Sequence, residues 1–260
     1  MKLKHITFTG IDAQTDLKRL EAIQKSYPIA EFGVLTSYHW YENGNRFLDP
    51  RMFRRLTTWS NLHLSLHLCG RVAHDAVRGD WSGLNYLSWG EYRWFRRIQL
   101  NVSSWKDNPE IASTTPYGNE VILQQKGIDH LNMFCETRKS WPSWCPEKLS
   151  VLIDASGGQG IDADIKVFPN ANKAFKVGYA GGINPDNVEE KLTFLMNHPD
   201  VGDFWIDMES GVRTNDWFDL DKVEHVLQIC QRVIGQPPTN EFVGLKQTDA
   251  FAKAQTDQPK

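Results

Sequence analysis

The chain of 260 residues contains few cysteines and little net charge. Its four cysteines show no CxxC spacing, and a chain of this size does not depend on disulfides for its stability. They stand at Cys69, Cys135, Cys145 and Cys230. We therefore expect a reducing, cytoplasmic setting. The formal net charge of -3 gives no basic field, which argues against a nucleic-acid partner.

Long apolar runs are also missing from the sequence. No run approaches the roughly 20 residues of a membrane-spanning helix, and the first residues lead into a strand-like segment without an apolar signal core. These absences predict that the chain neither enters a membrane nor carries a targeting segment. With 40% hydrophobic and 23% charged residues, the composition is that of an ordinary globular protein, for which a small molecule is the favoured partner.

Eight short apolar runs, rich in β-branched and aromatic residues, alternate with amphipathic segments. This alternation is typical of a parallel sheet with crossover helices, and eight strands in a chain of this length indicate one closed (β/α)8 TIM barrel of the α/β class. We predict that the barrel spans residues 1–245 and that residues 246–260 form a polar, mobile tail. The predicted strands span residues 4–9, 31–36, 62–68, 97–102, 120–124, 149–154, 175–180 and 203–208.

The predicted helices are clearest after the last two strands, where apolar residues recur with helical spacing. The segment Asn184-Pro185-Asp186 predicts a capped start for the first of them, and Gly235 predicts the end of the second. Their apolar faces comprise Val188, Leu192, Leu195 and Met196 in one helix, and Val223, Val226, Leu227, Cys230 and Val233 in the other.

Residues 62–69 alternate leucine with His63, Ser65, His67 and Cys69. In a barrel strand this period of two directs the leucines toward the outer helices and the other side chains into the interior. A polar interior stripe is unfavourable unless it is hydrogen-bonded. The histidines are then either satisfied within the interior or, for His67, part of a site at the carboxyl end. A metal site is not expected, because these residues are spread too far along one strand to converge on an ion.

Glycine-rich turns follow each of the last three predicted strands, at the end of the barrel where phosphate is commonly held. Glycine lets backbone N–H groups approach an anion closely, and the start of a helix adds a partial positive charge. One such turn alone is equally explained by a tight bend, but three in succession predict a phosphate-binding site. Its predicted residues are Gly158 and Gly160 after the sixth strand, Gly181 and Gly182 after the seventh, and Ser210 and Gly211 after the eighth.

The same three strand ends carry longer motifs. Asp154 precedes Gly157-Gly158-Gln159-Gly160, residues 180–188 are Ala-Gly-Gly-Ile-Asn-Pro-Asp-Asn-Val, and residues 207–212 are Asp-Met-Glu-Ser-Gly-Val. These segments resemble phosphoribosylanthranilate isomerase, whose corresponding motifs are Gly-Gly-Thr-Gly, Ala-Gly-Gly-Leu-x-Pro-x-Asn-Val and Asp-Val-Ser-Ser-Gly-Val. The resemblance is specific over the last three strands and diffuse before them.

The resemblance implies an Amadori rearrangement, in which a phosphoribosyl amine becomes an aminoketose. The family's general acid is an aspartate that ends the sixth strand, and Asp154 matches it. Its general base is a cysteine that ends the first strand in Ile-Cys-Gly, which Phe8-Thr9-Gly10 resembles. Thr9 therefore stands at the catalytic base position. A threonine hydroxyl is not basic near neutral pH, whereas a thiolate is accessible there.

Another residue must then supply the base. Asp207 and Glu209 lie two residues apart on the eighth strand, so both face one side near its carboxyl end, and either is a candidate. Cys69 or His67 of the third strand is the alternative, which requires a different pose of the substrate. Catalytic roles are accordingly predicted for Asp154, Asp207, Glu209 and Thr9.

Contacts to the rest of the substrate are predicted at three positions. Arg46 lies after the second strand, where the family has a substrate-contacting arginine, although Arg51 also lies in this segment. Asn101 stands where the family has a histidine, and His67 is the third candidate contact.

The function expected from these features is that of an isomerase-like enzyme acting on a phosphorylated sugar derivative, without cofactor or metal, as a monomer or homodimer. A lyase or aldolase acting on a phosphorylated substrate shares most of them, although no lysine ends a predicted strand as a Schiff base requires. A non-catalytic barrel that binds a phosphate ligand is the other alternative, because the family cysteine is missing.

Overall fold

The computed structural model describes residues 2–39, 44–48, 50–59, 61–84, 94–102, 119–125, 149–156, 160–162 and 176–235. Eight parallel strands pair in chain order, and the eighth pairs with the first to close a barrel. They are β1 (Leu3–Thr9), β2 (Ala30–Thr36), β3 (Leu64–Cys69), β4 (Arg97–Asn101), β5 (Glu120–Gln125), β6 (Leu149–Asp154), β7 (Lys176–Ala180) and β8 (Phe204–Met208). The predicted TIM barrel is confirmed. The predicted tail, residues 246–260, and Gly158 lie outside the described residues.

Five helices are present among the described residues. They are α1 (Leu17–Ser26), α2 (Pro50–Thr57), α3 (Arg71–Val77), α4 (Val188–Asn197) and α5 (Leu220–Gly235), with short 3-10 helices at Gly44–Arg46 and Ser210–Val212. A small antiparallel ribbon of β9 (Arg213–Thr214) and β10 (Trp217–Phe218) follows β8. Within the described part of the chain, every helix is too short or too polar to cross a membrane.

The last two helices agree with their predicted apolar faces. All the predicted positions of α5 are buried, as are those of α4 apart from the partly buried Met196. The start of α4 was predicted too early. Residues 184–187 form a turn in which Asn184 Oδ1 accepts a hydrogen bond from Asp186 N (2.8 Å) and Asn187 Oδ1 accepts one from Asn184 N (2.9 Å). These local bonds delay the helix until Val188.

The alternation predicted for β3 is present from the start of the strand. Its leucines are buried in the main core, and Ser65 and His67 are buried on the opposite face. The prediction that His63 points into the barrel is wrong. His63 precedes the strand, its N–H donates to Gln24 Oε1 of α1 (2.9 Å), and its ring Nδ1 lies 3.4 Å from Gln24 Nε2. These contacts hold His63 beside the outer helix.

Inside the barrel, a small apolar cluster is formed by Ile122, Leu152 and Trp205. Gly178 leaves room for the indole, since a Cβ there would lie 2.1 Å from Trp205 Cε2. The guanidinium of Arg97 lies 4.5 Å from the centre of the Trp205 ring, which is a cation–π contact. A positive charge is therefore packed directly against the apolar part of the interior.

Arg97 is neutralised by Glu31, and the two side chains are only 4% and 2% exposed. Arg97 Nε donates to Glu31 Oε2 (2.9 Å), and Arg97 Nη2 donates to Thr7 Oγ1 (3.1 Å). Burial opposes ionisation of Glu31, but the charge of Arg97 outweighs it and lowers the pKa of Glu31 to about 2. An ionised pair thus occupies an interior layer that branched apolar residues fill in most barrels of this fold.

Candidate active site

A cavity of about 440 Å³ opens at the carboxyl-terminal ends of the strands. Barrels of this fold place their catalytic groups at this end. Every predicted site residue that the structure describes lines this cavity: Thr9, Arg46, His67, Asn101, Asp154, Gly160, Gly181, Gly182, Asp207, Glu209, Ser210 and Gly211. The structure therefore brings to one cavity the residues that the sequence placed at strand ends and in the segments that follow them.

Asp207, from β8, is a carboxyl in the cavity wall that is only 5% exposed. Thr9 Oγ1 of β1 donates a 2.8 Å hydrogen bond to Asp207 Oδ1. Burial raises the pKa of Asp207 to about 7, although this hydrogen bond and the charge of Arg97 oppose the shift. Such a carboxyl takes up a proton readily near neutral pH, as a general base must. The contact makes Thr9 an orienting group for Asp207.

Asp154 ends β6, and its carboxyl is held by three hydrogen bonds. Oδ2 accepts one from Gln124 Nε2 (2.9 Å), and Oδ1 accepts two from Ser156, through its N–H (3.1 Å) and its hydroxyl (2.7 Å). Neither partner was identified from the sequence. The period-two alternation of β5 and the spacing of Ser156 from Asp154 were the available signals.

Glu209 follows β8 and forms an ion pair with Arg46. Arg46 Nη1 donates to Glu209 Oε1 (2.9 Å), and Arg46 Nε donates to Asp216 Oδ1 (3.0 Å). Burial raises the pKa of Glu209, while the charge of Arg46 opposes this shift. Arg46, a predicted substrate contact, is thus already engaged by two carboxylates.

His67 and Cys69 of β3 are poor candidates for the base. Burial lowers the pKa of His67 to about 3, so its imidazole is neutral, and Nε2 lies 3.2 Å from Ser65 Oγ. Burial raises the pKa of the Cys69 thiol to about 12, so the nucleophilic thiolate is not formed near neutral pH. In the part of the chain that the structure describes, no group of His, Cys, Asp and Glu is placed to hold a metal ion.

Two amides of β4, Gln99 and Asn101, line the wall of the cavity next to Cys69. Gln99 Nε2 donates to Asn101 Oδ1 (2.9 Å), and Asn101 Nδ2 donates to Cys69 Sγ (3.4 Å). Gln99 Oε1 is buried and has no hydrogen-bond partner among the described residues. Gln99 was not identified from the sequence, although its spacing of two from Asn101 places both on the inner face.

The turns after the last strands pack against one another. A Cβ at Gly160 would lie 2.6 Å from Ser210 Oγ, which joins the turn after β6 to the turn after β8. A Cβ at Gly182 would lie 2.5 Å from Asp162 N, and its φ of +64° is also one that favours glycine. Side chains at these positions would separate the turns, so glycine permits their close approach.

Two further contacts support these turns. A Cβ at Gly211 would lie 2.0 Å from Ile183 O, which joins the turns after β7 and β8. Lys191 of α4 is buried, and its Nζ donates to Asp162 Oδ1 (2.5 Å) and Gly181 O (3.3 Å). No local pattern distinguishes Lys191 from other lysines, because lysines on helices are usually exposed.

Arg213 connects the loop after β1 to the segment after β8. Its Nη1 donates to Gly10 O (2.7 Å), and its Nη2 donates to Asp12 Oδ2 (3.2 Å). The side chains of Arg213 and Asp12 are 3% and 0% exposed. This buried ion pair fastens the first and last strands together beside the cavity, close to the Thr9–Asp207 contact.

A closed parallel barrel, two carboxyls at strand ends and three interlocked glycine turns around one cavity together define the class of the protein. It is a (β/α)8 barrel with a site of the enzyme type at its carboxyl-terminal face.

Comparison with known proteins identifies the barrel within this class as similar to phosphoribosylanthranilate isomerases. The family model described as N-(5'-phosphoribosyl)anthranilate (PRA) isomerase matches residues 144–229, which include β6, β7 and β8. The N-(5'-phosphoribosyl)anthranilate isomerase of Methanococcus maripaludis is 27% identical over 152 residues, which cover 51% of this chain and 68% of that protein. The resemblance predicted from the three strand-end motifs is confirmed.

Two solved structures of such enzymes share the fold. The N-(5'-phosphoribosyl)anthranilate isomerase of Pyrococcus furiosus has a TM-score of 0.56 at 18% identity, over 88% of this chain and 98% of that one. The Thermotoga maritima phosphoribosylanthranilate isomerase, crystallised as monomers of a dimeric enzyme, has a TM-score of 0.59 at 15% identity, over 88% and 100% of the two chains. The likeness of fold therefore extends well beyond the segment that the family model matches.

Proposed function

We propose that the chain is an isomerase that converts a phosphorylated sugar amine into an aminoketose, with Asp154 as general acid and Asp207 as general base. The observation that carries this proposal is the Thr9–Asp207 contact. The position of the family cysteine holds a hydroxyl, and this hydroxyl orients a buried carboxyl whose pKa is about 7. The similarity to N-(5'-phosphoribosyl)anthranilate isomerases supports a phosphoribosyl amine as the substrate, and the few cysteines favour a cytoplasmic setting.

Asp154 and Asp207 each carry out one of the two proton transfers. Asp154 in its protonated form gives a proton to the furanose ring oxygen, the bond from C1 to this oxygen breaks, and an iminium forms at C1. Asp207 removes the proton from C2, which yields an enolamine that tautomerises to the aminoketose. The proton gained by Asp207 balances the one lost by Asp154, so the overall reaction is an isomerisation.

Phosphate binding is assigned to the interlocked turns. The close contacts at Gly160, Gly182 and Gly211 support a compact cradle of backbone, and backbone N–H groups are good ligands for a phosphate. The binding energy of the phosphate would position the sugar between Asp154 and Asp207, which is how remote contacts contribute to catalysis.

The test is turnover of phosphoribosylated aromatic amines, followed through the fluorescence of the amine. We expect Asp154→Asn and Asp207→Asn each to lower kcat by about 10²–10⁴-fold while ribose 5-phosphate still raises the melting temperature. Asp203→Asn is the matched control, because Asp203 is exposed and pairs with Lys4 just before β8 begins. Stabilisation by ribose 5-phosphate without turnover of any amine would contradict the proposal and favour a non-catalytic phosphate-binding barrel.

A further inference from the structure

The part of the cavity away from the glycine turns is lined by residues of β2, β3 and β4 and of the segment after β2. Because the barrel is closed, these strands lie across the cavity from the turns after β6, β7 and β8. A sugar whose phosphate lies in those turns therefore directs its other substituent toward this wall. The wall combines the apolar Leu35, Phe47 and Val102 with the amides of Gln99 and Asn101.

The charges near this wall disfavour an anionic substituent. Arg46 is the one lysine or arginine among the described residues that line the cavity, and its Nη1 and Nε already donate to Glu209 and Asp216. Asp207 and Asp154 add further carboxyls to the same cavity. A carboxylate entering here would meet one guanidinium whose charge is already matched by the carboxylates of Glu209 and Asp216.

One hydrogen-bond acceptor of the wall lacks a donor among the described residues. Gln99 and Asn101 each direct an amide N–H to a neighbour, Asn101 Oδ1 and Cys69 Sγ respectively. Gln99 Oε1 is buried, in a side chain that is 3% exposed, and finds no partner in the part of the chain that the structure describes. A buried acceptor without a partner costs free energy that a donor on a ligand would recover.

We propose that the substituent on the substrate's sugar is uncharged and carries N–H or O–H donors, and that Glu209 is the residue that selects against a carboxylate there. This inference rests on the proposed function, since it needs the phosphate in the glycine turns. Glu209 acts in two ways: it neutralises Arg46, and from the end of β8 it holds its own carboxylate beside Arg46 at the edge of the wall.

The experiment compares two non-reacting aminoalditol 5-phosphates that differ in one group, a 2-carboxyanilino against a 2-carboxamidoanilino substituent. Their Kd values are measured by calorimetry at about pH 8, with inorganic phosphate as the reference ligand. We expect the carboxamide to bind at least roughly tenfold more tightly. In Glu209→Gln this preference should shrink through tighter binding of the carboxylate. Glu224→Gln, the same change in an exposed pair with Arg19, should leave the preference unaltered.

Equal or tighter binding of the carboxylate to the wild-type protein would overturn the inference while leaving the isomerase proposal intact. A preference for the carboxamide that persists unchanged in Glu209→Gln would overturn the role of Glu209. If neither compound binds better than inorganic phosphate, the proposed function fails, and the inference fails with it.

Discussion

Asp207 is a carboxyl that burial keeps protonated far above the pH at which aspartate ordinarily ionises. Its neighbours reduce this effect but do not cancel it, because Thr9 offers one hydrogen bond and Arg97 is already paired with Glu31. Ionisation of Asp207 in the folded protein costs free energy, because the charged carboxylate is buried. Active sites often carry such strain, since the property that makes a base effective is the one that destabilises it.

Ionisation of this carboxyl is linked to the stability of the fold. The pKa of Asp207 is raised from 3.8 to about 7 on folding, so its contribution is fully present below about pH 4 and is lost as pH rises through 7. Asp207→Asn should therefore stabilise the protein at about pH 8, on the order of a few kcal/mol, and have little effect at about pH 4. Chemical denaturation at the two pH values measures this difference.

The pH profile of the wild-type enzyme gives an independent check. Because the proposed base is the ionised form of Asp207, kcat/KM should rise as pH increases through about 7. Thr9→Val removes the hydrogen bond that favours ionisation, and it should move this rise to higher pH. A profile that is identical in Thr9→Val would show that another group is the base.

The sequence placed Thr9, Asp207 and Glu209 at the cavity but could not choose among the candidates for the base. Thr9 and Asp207 were identified because they end predicted strands, and a spacing of two made Asp207 and Glu209 equal candidates. The choice depends on burial, which is contributed by parts of the barrel far away in the chain, and on the contact between Thr9 and Asp207 across the closing strands. Distances of this kind are not encoded in local patterns.

At the scale of the elements, the glycine turns after β6, β7 and β8 pack against one another. Each of Gly160, Gly182 and Gly211 meets atoms of a different turn at a distance that excludes a Cβ. The turns thus form one unit, and a change in one of them is transmitted to the others. This mutual packing explains why three neighbouring strand ends carry glycine together.

Gly182→Ala tests whether the packed glycine turns bind the phosphate. The new Cβ would lie 2.5 Å from the backbone of Asp162, and the positive φ adds a cost of roughly 1–2 kcal/mol. We expect at least roughly tenfold weaker binding of ribose 5-phosphate, measured by calorimetry. Gly202→Ala is the matched control, because no described residue lies within 4 Å of the corresponding Cβ and Gly202 has no positive φ. Unchanged affinity in Gly182→Ala would exclude these turns as the phosphate site.

The helices show that sequence patterns predict buried faces better than they predict where a helix begins. The faces of α4 and α5 were predictable because burial of one stripe repeats with the helical period. The start of α4 was not, because the side chains of Asn184 and Asn187 bond within the preceding turn and compete with helix formation. Hydrophobic periodicity does not detect local side-chain hydrogen bonds of this kind.

For the whole molecule, the buried pair of Arg97 and Glu31 makes the free energy of unfolding decrease in acid. The pKa of Glu31 falls from 4.5 to about 2 on folding, so its contribution is present above about pH 4.5 and is lost as pH falls through 2. Because the contribution of Asp207 decreases in the opposite direction, these two groups favour the folded state most between about pH 4 and 5.

We expect Glu31→Gln to destabilise the barrel by about 3–5 kcal/mol at neutral pH, since the buried charge of Arg97 then keeps only Glu120, 3.9 Å away and shared with Lys176, as its partner. Denaturant titration measures the loss, with Glu224→Gln in an exposed pair as the control. The double variant with Arg97→Met should recover most of the stability. A small effect in the single variant would mean that water or a neighbour compensates for the lost carboxylate.

The closed barrel itself was predictable, because eight alternating runs in one chain leave few other topologies. Its interior was not. Glu31 and Arg97 each begin a predicted strand, and nothing in their local sequence indicates that they meet across the interior beside Trp205. Pairing between distant strands decides which charges are matched, and only the folded barrel supplies that pairing.

The threonine at the end of β1 changes how sensitive the site is to chemical damage. Enzymes that depend on a thiolate are inactivated by peroxide and by alkylating reagents, because the reactive sulfur is the group they need. Here the hydroxyl of Thr9 cannot be oxidised in that way, and the thiol of Cys69 in the cavity has a pKa of about 12, which keeps it in its unreactive form. An isomerase built on Asp207 would keep working under oxidative stress that silences a cysteine-dependent enzyme.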